Sequence, residues 1–251
     1  MSPAATGALV FGCVFGGALL AMRLRAALPQ HHLSADTKDT VKLAMGLVAT
    51  MSALVLGLLV ASAKGSYDTE RSAVIQMAAR IAFLDRMLSF YGPEATETRR
   101  LLRHAVESMV DRIWPDSKNQ HAQLDPAASN NEALYDAIQK LSPQNDVQRS
   151  LKSQALGSAM ELGQMRWLLF EQSDTSISTP LLVVVVCWLA IIFVSFGLFA
   201  PSNNTVVATL MVAALSVAGA IFLILELDRP FDGMIQISSK PMRTALSHLG
   251  Q

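Results

Sequence analysis

The chain has 251 residues, of which 51% are hydrophobic and only 16% charged, below the roughly 25% charged of an ordinary globular domain. Its formal net charge is zero, so no global basic field is available to hold nucleic acid. The charges crowd the middle of the chain and leave the ends apolar, which argues against a soluble domain and predicts an all-α membrane protein.

A bilayer core about 30 Å thick needs about 20 mostly apolar residues per spanning helix. Four uncharged runs qualify: residues 4–22, 43–63, about 180–200 and 206–225. In hydrocarbon the backbone must satisfy its own hydrogen bonds, so each run is expected to be a helix. The first run lacks the basic leading region of a signal peptide, and its apolar stretch is longer than usual for one, so it is expected to stay as a span. Gly12, Gly16 and Gly17 give it small residues suited to close helix approach, although glycine is common in membrane helices in any case. Cys13 and Cys187 lie within apolar runs and read as small apolar residues. No Cys/His cluster has zinc-ligand spacing.

The loop between the first two runs carries Arg23, Arg25, Lys38 and Lys42 against Asp36 and Asp39. Taken alone, the positive-inside rule puts this loop in the cytoplasm. Lys64, Arg71, Arg166, Arg229 and Lys240 flank the spans on the opposite side, so the bias is small. His31 and His32 lie in the same loop with no third ligand nearby, and read as a solvated pair.

Residues 64–178 form a polar segment with helical periodicity. Within 68–91, Val74, Met77, Ile81, Leu84, Leu88 and Tyr91 recur at steps of three and four. Gly92-Pro93 ends that helix and starts the next, which carries Leu102, Val106, Met109, Val110 and Ile113 and stops at Trp114-Pro115. A polar loop is expected at 116–131, a short helix at 132–141 and a longer one at 147–170, with Leu151, Ala155, Leu162, Met165 and Leu169 on one face. Such amphipathic helices need a partner surface, either each other or a neighbouring subunit.

The last two spans lie within residues 179–225, joined by a five-residue turn at 201–205 that makes them an antiparallel hairpin. Residues 226–251 follow. Glu226, Asp228, Arg229, Pro230, Phe231, Asp232 and Gly233 place three carboxylates and one guanidinium at the membrane boundary, where charge must be paired or wet. Two readings stand: a pore-mouth or ion-binding element, since carboxylates attract hard cations, or a structural turn in which Asp228 and Arg229 pair and Pro230 ends the helix. Residues 239–249 read as a short amphipathic helix that packs on the middle segment.

There is no nucleophile elbow, HExxH pair, phosphate loop or dinucleotide fingerprint. No catalytic residue, metal site, cofactor or small-molecule substrate is therefore expected, and the protein is expected not to be an enzyme. A non-conducting scaffold or sensor that binds a partner through its helical segment remains open, favoured by the lack of charge deep in the spans.

Four stretches carry a resemblance: ALVLGLLVASAKGSYD at the end of the second span, LDRMLSFYGPE in the middle, FVSFGLFAPSNNT between the last two spans, and LDRPFDG after the fourth. The chain resembles the bestrophin-like family of bacterial membrane proteins, a domain of unknown function that is remotely similar to the bestrophin ion channels. Val55-Leu56-Gly57 is similar to a bestrophin motif on the pore-lining second span, and Arg229-Pro230-Phe231-Asp232-Gly233 to the motif after the last span. The resemblance implies four spans with a long helical segment between the second and third. It also implies a homo-oligomer in membrane lipid, five subunits around an axial pore in the bestrophin arrangement, and an apolar neck at Thr50, Leu54 and Leu58. By the same resemblance the protein sits in the bacterial plasma (inner) membrane, with the long segment and both termini cytoplasmic, opposite to the positive-inside reading. The neck residues are smaller than the aromatic necks of bestrophins. The acidic calcium-binding cluster of the animal channels is not reproduced, since MIQISSK follows Gly233.

Overall fold

The computed structural model describes residues 2–25, 35–115, 122–125, 131–173, 178–201 and 203–250. His31 and His32, and most of the predicted 116–131 loop, lie outside the described residues. Among the described residues the protein is all-α, with no strand. Its helices are α1 (Pro3–Leu24), α2 (Ala35–Tyr91), α3 (Thr96–Ile113), α4 (Asn131–Lys140), α5 (Asp146–Ser173), α6 (Thr179–Phe199), α7 (Asn204–Leu227) and α8 (Lys240–His248). The chain divides into two compact units, one of Met1–Gly65 with Ser176–Asp228, the other of Ser66–Thr175 with Arg229–Gln251.

The first unit holds the apolar stretches of α1, α2, α6 and α7, each long and apolar enough to cross a membrane. Local chemistry sets their starts. Ser2 caps α1 by accepting from the Ala5 N–H, with Pro3 at its first position. Asn203 caps α7, its side chain accepting from the Val206 N–H at 2.8 Å. The end of α6 receives a cation, the Arg25 guanidinium donating to the Ala200 carbonyl, which suits the negative pole of a helix C-terminus.

α6 and α7 are neighbours in sequence, but α1 is the close backbone neighbour of both. Val10, Val14 and Ala18 of α1 share a core with Phe193 of α6 and Leu210, Ala214 and Ile221 of α7. Small residues allow it. Gly197 of α6 lies so close to Ala18 that an added methyl would clash with the Ala18 carbonyl. On α1, a methyl at Gly17 would come 3.2 Å from Val194, and one at Gly7 would come 3.4 Å from Phe222. Of the three glycines for which close approach and mere abundance were both open readings, only Gly17 makes such a contact within the chain; a methyl at Gly12 or Gly16 would meet nothing within 4 Å. Close backbone approach stabilises spans where lipid tails are as apolar as leucine.

α2 differs from its expected form. The sequence suggested a span ending at Ala63 and a separate helix from Asp68; the structure has one uninterrupted helix of 57 residues, about 86 Å long at 1.5 Å per residue. Lys64 and Gly65 change the polarity of the helix without breaking it, because no proline removes a donor anywhere along it.

In the second unit the expected amphipathic faces form the core. Met77, Ile81, Leu84 and Leu88 of α2, Leu102, Val106 and Met109 of α3, Ile138 of α4, and Ala155 and Leu162 of α5 are buried together. Gly92, at φ +124°, turns the chain after α2 in a backbone conformation that L side chains rarely adopt. Gln148 caps α2 by donating to the Tyr91 carbonyl at 2.9 Å. Lys152 donates to the Gln139 and Leu141 carbonyls at the end of α4. α8 packs as expected, with Met242, Ala245 and Leu249 in the same core. Arg103 donates to the Leu249 carbonyl. Asp85, 8% exposed at its side chain, takes two hydrogen bonds from Arg99 at 2.8 and 2.9 Å. That carboxylate holds the Arg99 guanidinium above its ordinary pKa.

Replacing Gly197 with valine should lower stability by about 3 kcal/mol or more, since neither backbone can retreat without losing packing. Gly12→Val should leave it within about 0.5 kcal/mol. Thermal unfolding of the two variants in detergent checks the pair.

Candidate functional site

The three expected neck residues share one face of α2, and that face is uncovered within the chain. Thr50 is exposed, and Leu54 and Leu58 are 70% and 63% exposed. Leu43 and Leu47 extend the open face toward the helix start. The Thr50 hydroxyl donates to the Gly46 carbonyl one turn earlier at 3.0 Å, so it presents its methyl group and no free donor. The opposite face is held in the first unit: Leu59 and Ala63 pack on Val185 of α6 and Ile224 of α7, and Ser52 is buried with its hydroxyl donating to the Val48 carbonyl. Only 11% of the apolar window of α2 is buried, against 28%, 22% and 28% for the other three spans. α2 is therefore the span that the chain itself leaves most open.

The juxtamembrane motif is divided between the two units after Asp228. In the first unit, Glu226 is buried in the last turn of α7, and Asp228 caps that helix, its N–H donating to the Ile224 carbonyl at 3.2 Å. In the second unit, the Arg229 carbonyl accepts from the Gly233 N–H at 3.0 Å, and the Pro230 carbonyl accepts from the Ile237 N–H at 2.7 Å. These bonds fold residues 229–237 into a compact turn. Phe231 is buried and meets the Trp114 ring edge-on, centroids 6.0 Å apart. The Trp114 indole N–H donates to the Ile237 carbonyl at 2.8 Å. Asp232 accepts from the Ala122 N–H at 2.8 Å.

Phe231 and Asp232 are thus engaged in holding the turn against the end of α3. The sequence presents this motif as a charge cluster and hides its aromatic anchor. The available signal was the Trp114-Pro115 pair: a large amphipathic ring at the end of a helix needs both an apolar neighbour and a hydrogen-bond acceptor. Among the described residues no three His, Cys, Asp or Glu side chains converge as a metal site would require.

Fold and site together define a class: an integral membrane protein with four spanning helices, a long helical segment between the second and third, and a turn-forming motif after the fourth. The bestrophin-like domain matches residues 12–242, and the chain belongs to the bestrophin-like family. No curated protein and no solved structure gives a significant match to it.

Phe231→Ala should cost about 3 kcal/mol by leaving a cavity beside Trp114, whereas Phe231→Leu should cost less than about 1.5 kcal/mol. Unfolding followed by tryptophan fluorescence reads both.

Proposed function

We propose that the protein is a homo-oligomeric ion channel of the bacterial plasma membrane, in which α2 lines an axial pore and Thr50, Leu54 and Leu58 form its neck. The observation that carries this reading is the open apolar face of α2 on a chain of the bestrophin-like family. A ring of identical subunits forms through heterologous contacts, each copy offering one surface to the next. An apolar neck gates by dewetting: water and ions leave a narrow hydrophobic constriction and return when it widens. The backbone of α2 is fully hydrogen-bonded within the helix, so a neck of leucine side chains offers an ion no ligand. In this reading the long helical segment and both termini are cytoplasmic, lipid surrounds the outer spans, and the protein catalyses no reaction.

A second reading is a non-conducting scaffold or sensor. It is favoured by the absence of any Asp, Glu, Lys or Arg within residues 4–22, 43–63, 180–200 and 206–225, since ion pathways through membranes are commonly marked by such groups. Flux into liposomes reconstituted with the assembled oligomer separates the two. The channel reading predicts measurable flux that rises several-fold in Leu54→Ala. An assembled oligomer that passes no ion in either form, together with a stoichiometric bound partner, would establish the scaffold.

A further inference from the structure

A cavity of about 60 Å³ lies among α2, α3, α4 and α5 in the second unit. By the volume that one water occupies it has room for roughly four or five waters. Met77, Ile81, Val106 and Leu162 line its apolar part, and Tyr135 and Arg166 are the polar groups on its wall. Arg166 also borders a second, smaller cavity together with Arg112.

The electrostatics at Arg166 are unbalanced. Its guanidinium is half-buried and makes no hydrogen bond or ion pair among the described residues. Burial, and then the neighbouring positive charge of Arg112, push its pKa below the ordinary arginine value, yet arginine stays protonated in proteins. The neighbouring carboxylate on α5, Glu161, is already paired with Arg80. Drawing a cation partly out of water without a counter-ion carries part of the desolvation cost of a charge, and an anion brought from outside offsets it.

We propose that the second unit binds a short-chain monocarboxylate here, its carboxylate on Arg166 and its alkyl chain in the apolar cavity. The chemistry of the wall selects this class. A guanidinium pairs with a planar carboxylate by two parallel hydrogen bonds, and Tyr135 is a further polar residue on the same wall. The aliphatic walls reward an alkyl tail, which an inorganic anion lacks. The volume limits that tail to roughly three or four carbons. Gly163 lies on the same wall, and a Cβ added there would meet no atom within 4 Å, so the wall is open at that point.

The test is calorimetric titration of the full-length protein in non-ionic detergent with sodium butyrate, at constant ionic strength set with sodium chloride. The proposal expects saturable binding by the parent protein. It expects affinity roughly tenfold weaker in Arg166→Gln, the loss of one charge-assisted contact, and no detectable binding in Gly163→Leu, whose side chain fills the cavity. Thermal unfolding of each variant establishes that it is folded; Arg166→Gln removes an unbalanced charge and is expected to unfold no earlier than the parent. Absence of saturable butyrate binding by the folded parent overturns the proposal, as does unchanged affinity in Arg166→Gln. Inorganic phosphate binding as tightly as butyrate would also overturn it, because the apolar cavity would then play no part.

Discussion

In hydrocarbon a backbone N–H or C=O has no water to turn to, and leaving one unpaired costs several kcal/mol. That constraint makes each of the four uncharged runs a helix before any tertiary contact forms. It also removes the usual reason for helices to associate, since an apolar side chain gains little by leaving lipid for another helix. What remains is close packing. The first unit achieves it where side chains are smallest, at Gly197 of α6 against the backbone of Ala18 in α1. α1 is consequently the close neighbour of both α6 and α7, while α2 is held along one face only, through Leu59 and Ala63.

This unequal coverage bears on function. Exposed leucine is a liability in water but not in lipid, so the open face of α2 is stable in a single chain. The same face can meet an identical helix or a narrow column of water without any change in fold. Thr50 is the only polar residue of the proposed neck, and its hydroxyl bonds within its own helix. The whole face is therefore apolar, as a dewetting constriction requires. The second unit has different energetics: a buried apolar core, a buried Asp85–Arg99 pair and helix ends satisfied by Gln148 and Lys152.

Spans and amphipathic faces were legible in the sequence because both depend on local periodicity. Val74, Met77, Ile81, Leu84, Leu88 and Tyr91 recur at helical spacing and all are buried. The continuity of α2 was not legible: Lys64-Gly65 marks a change of solvent, and a change of solvent in one dimension looks like the end of an element. Which glycine mediates packing was equally hidden. Gly12, Gly16 and Gly17 stand close together in the sequence, but contact depends on what lies opposite, and Gly197 comes from a distant segment. The Phe231–Trp114 contact joins residues more than a hundred positions apart. Arg166 sits beside the apolar stripe of α5, where the pattern alone gives no reason to expect a cavity. The proposed neck was reached through family resemblance together with i, i+4, i+8 spacing; the structure adds that its face is open.

The most direct test of the central claim distinguishes a face turned to water from one turned to lipid. Single cysteines at Leu54 and at Leu215, a 63% exposed residue of α7, would be placed in a chain lacking Cys13 and Cys187, then treated in liposomes with a charged, membrane-impermeant thiol reagent. A pore-lining α2 predicts modification at position 54 that blocks flux, with position 215 unreactive. Equal protection of the two positions would mean that α2 faces lipid, and would contradict the account.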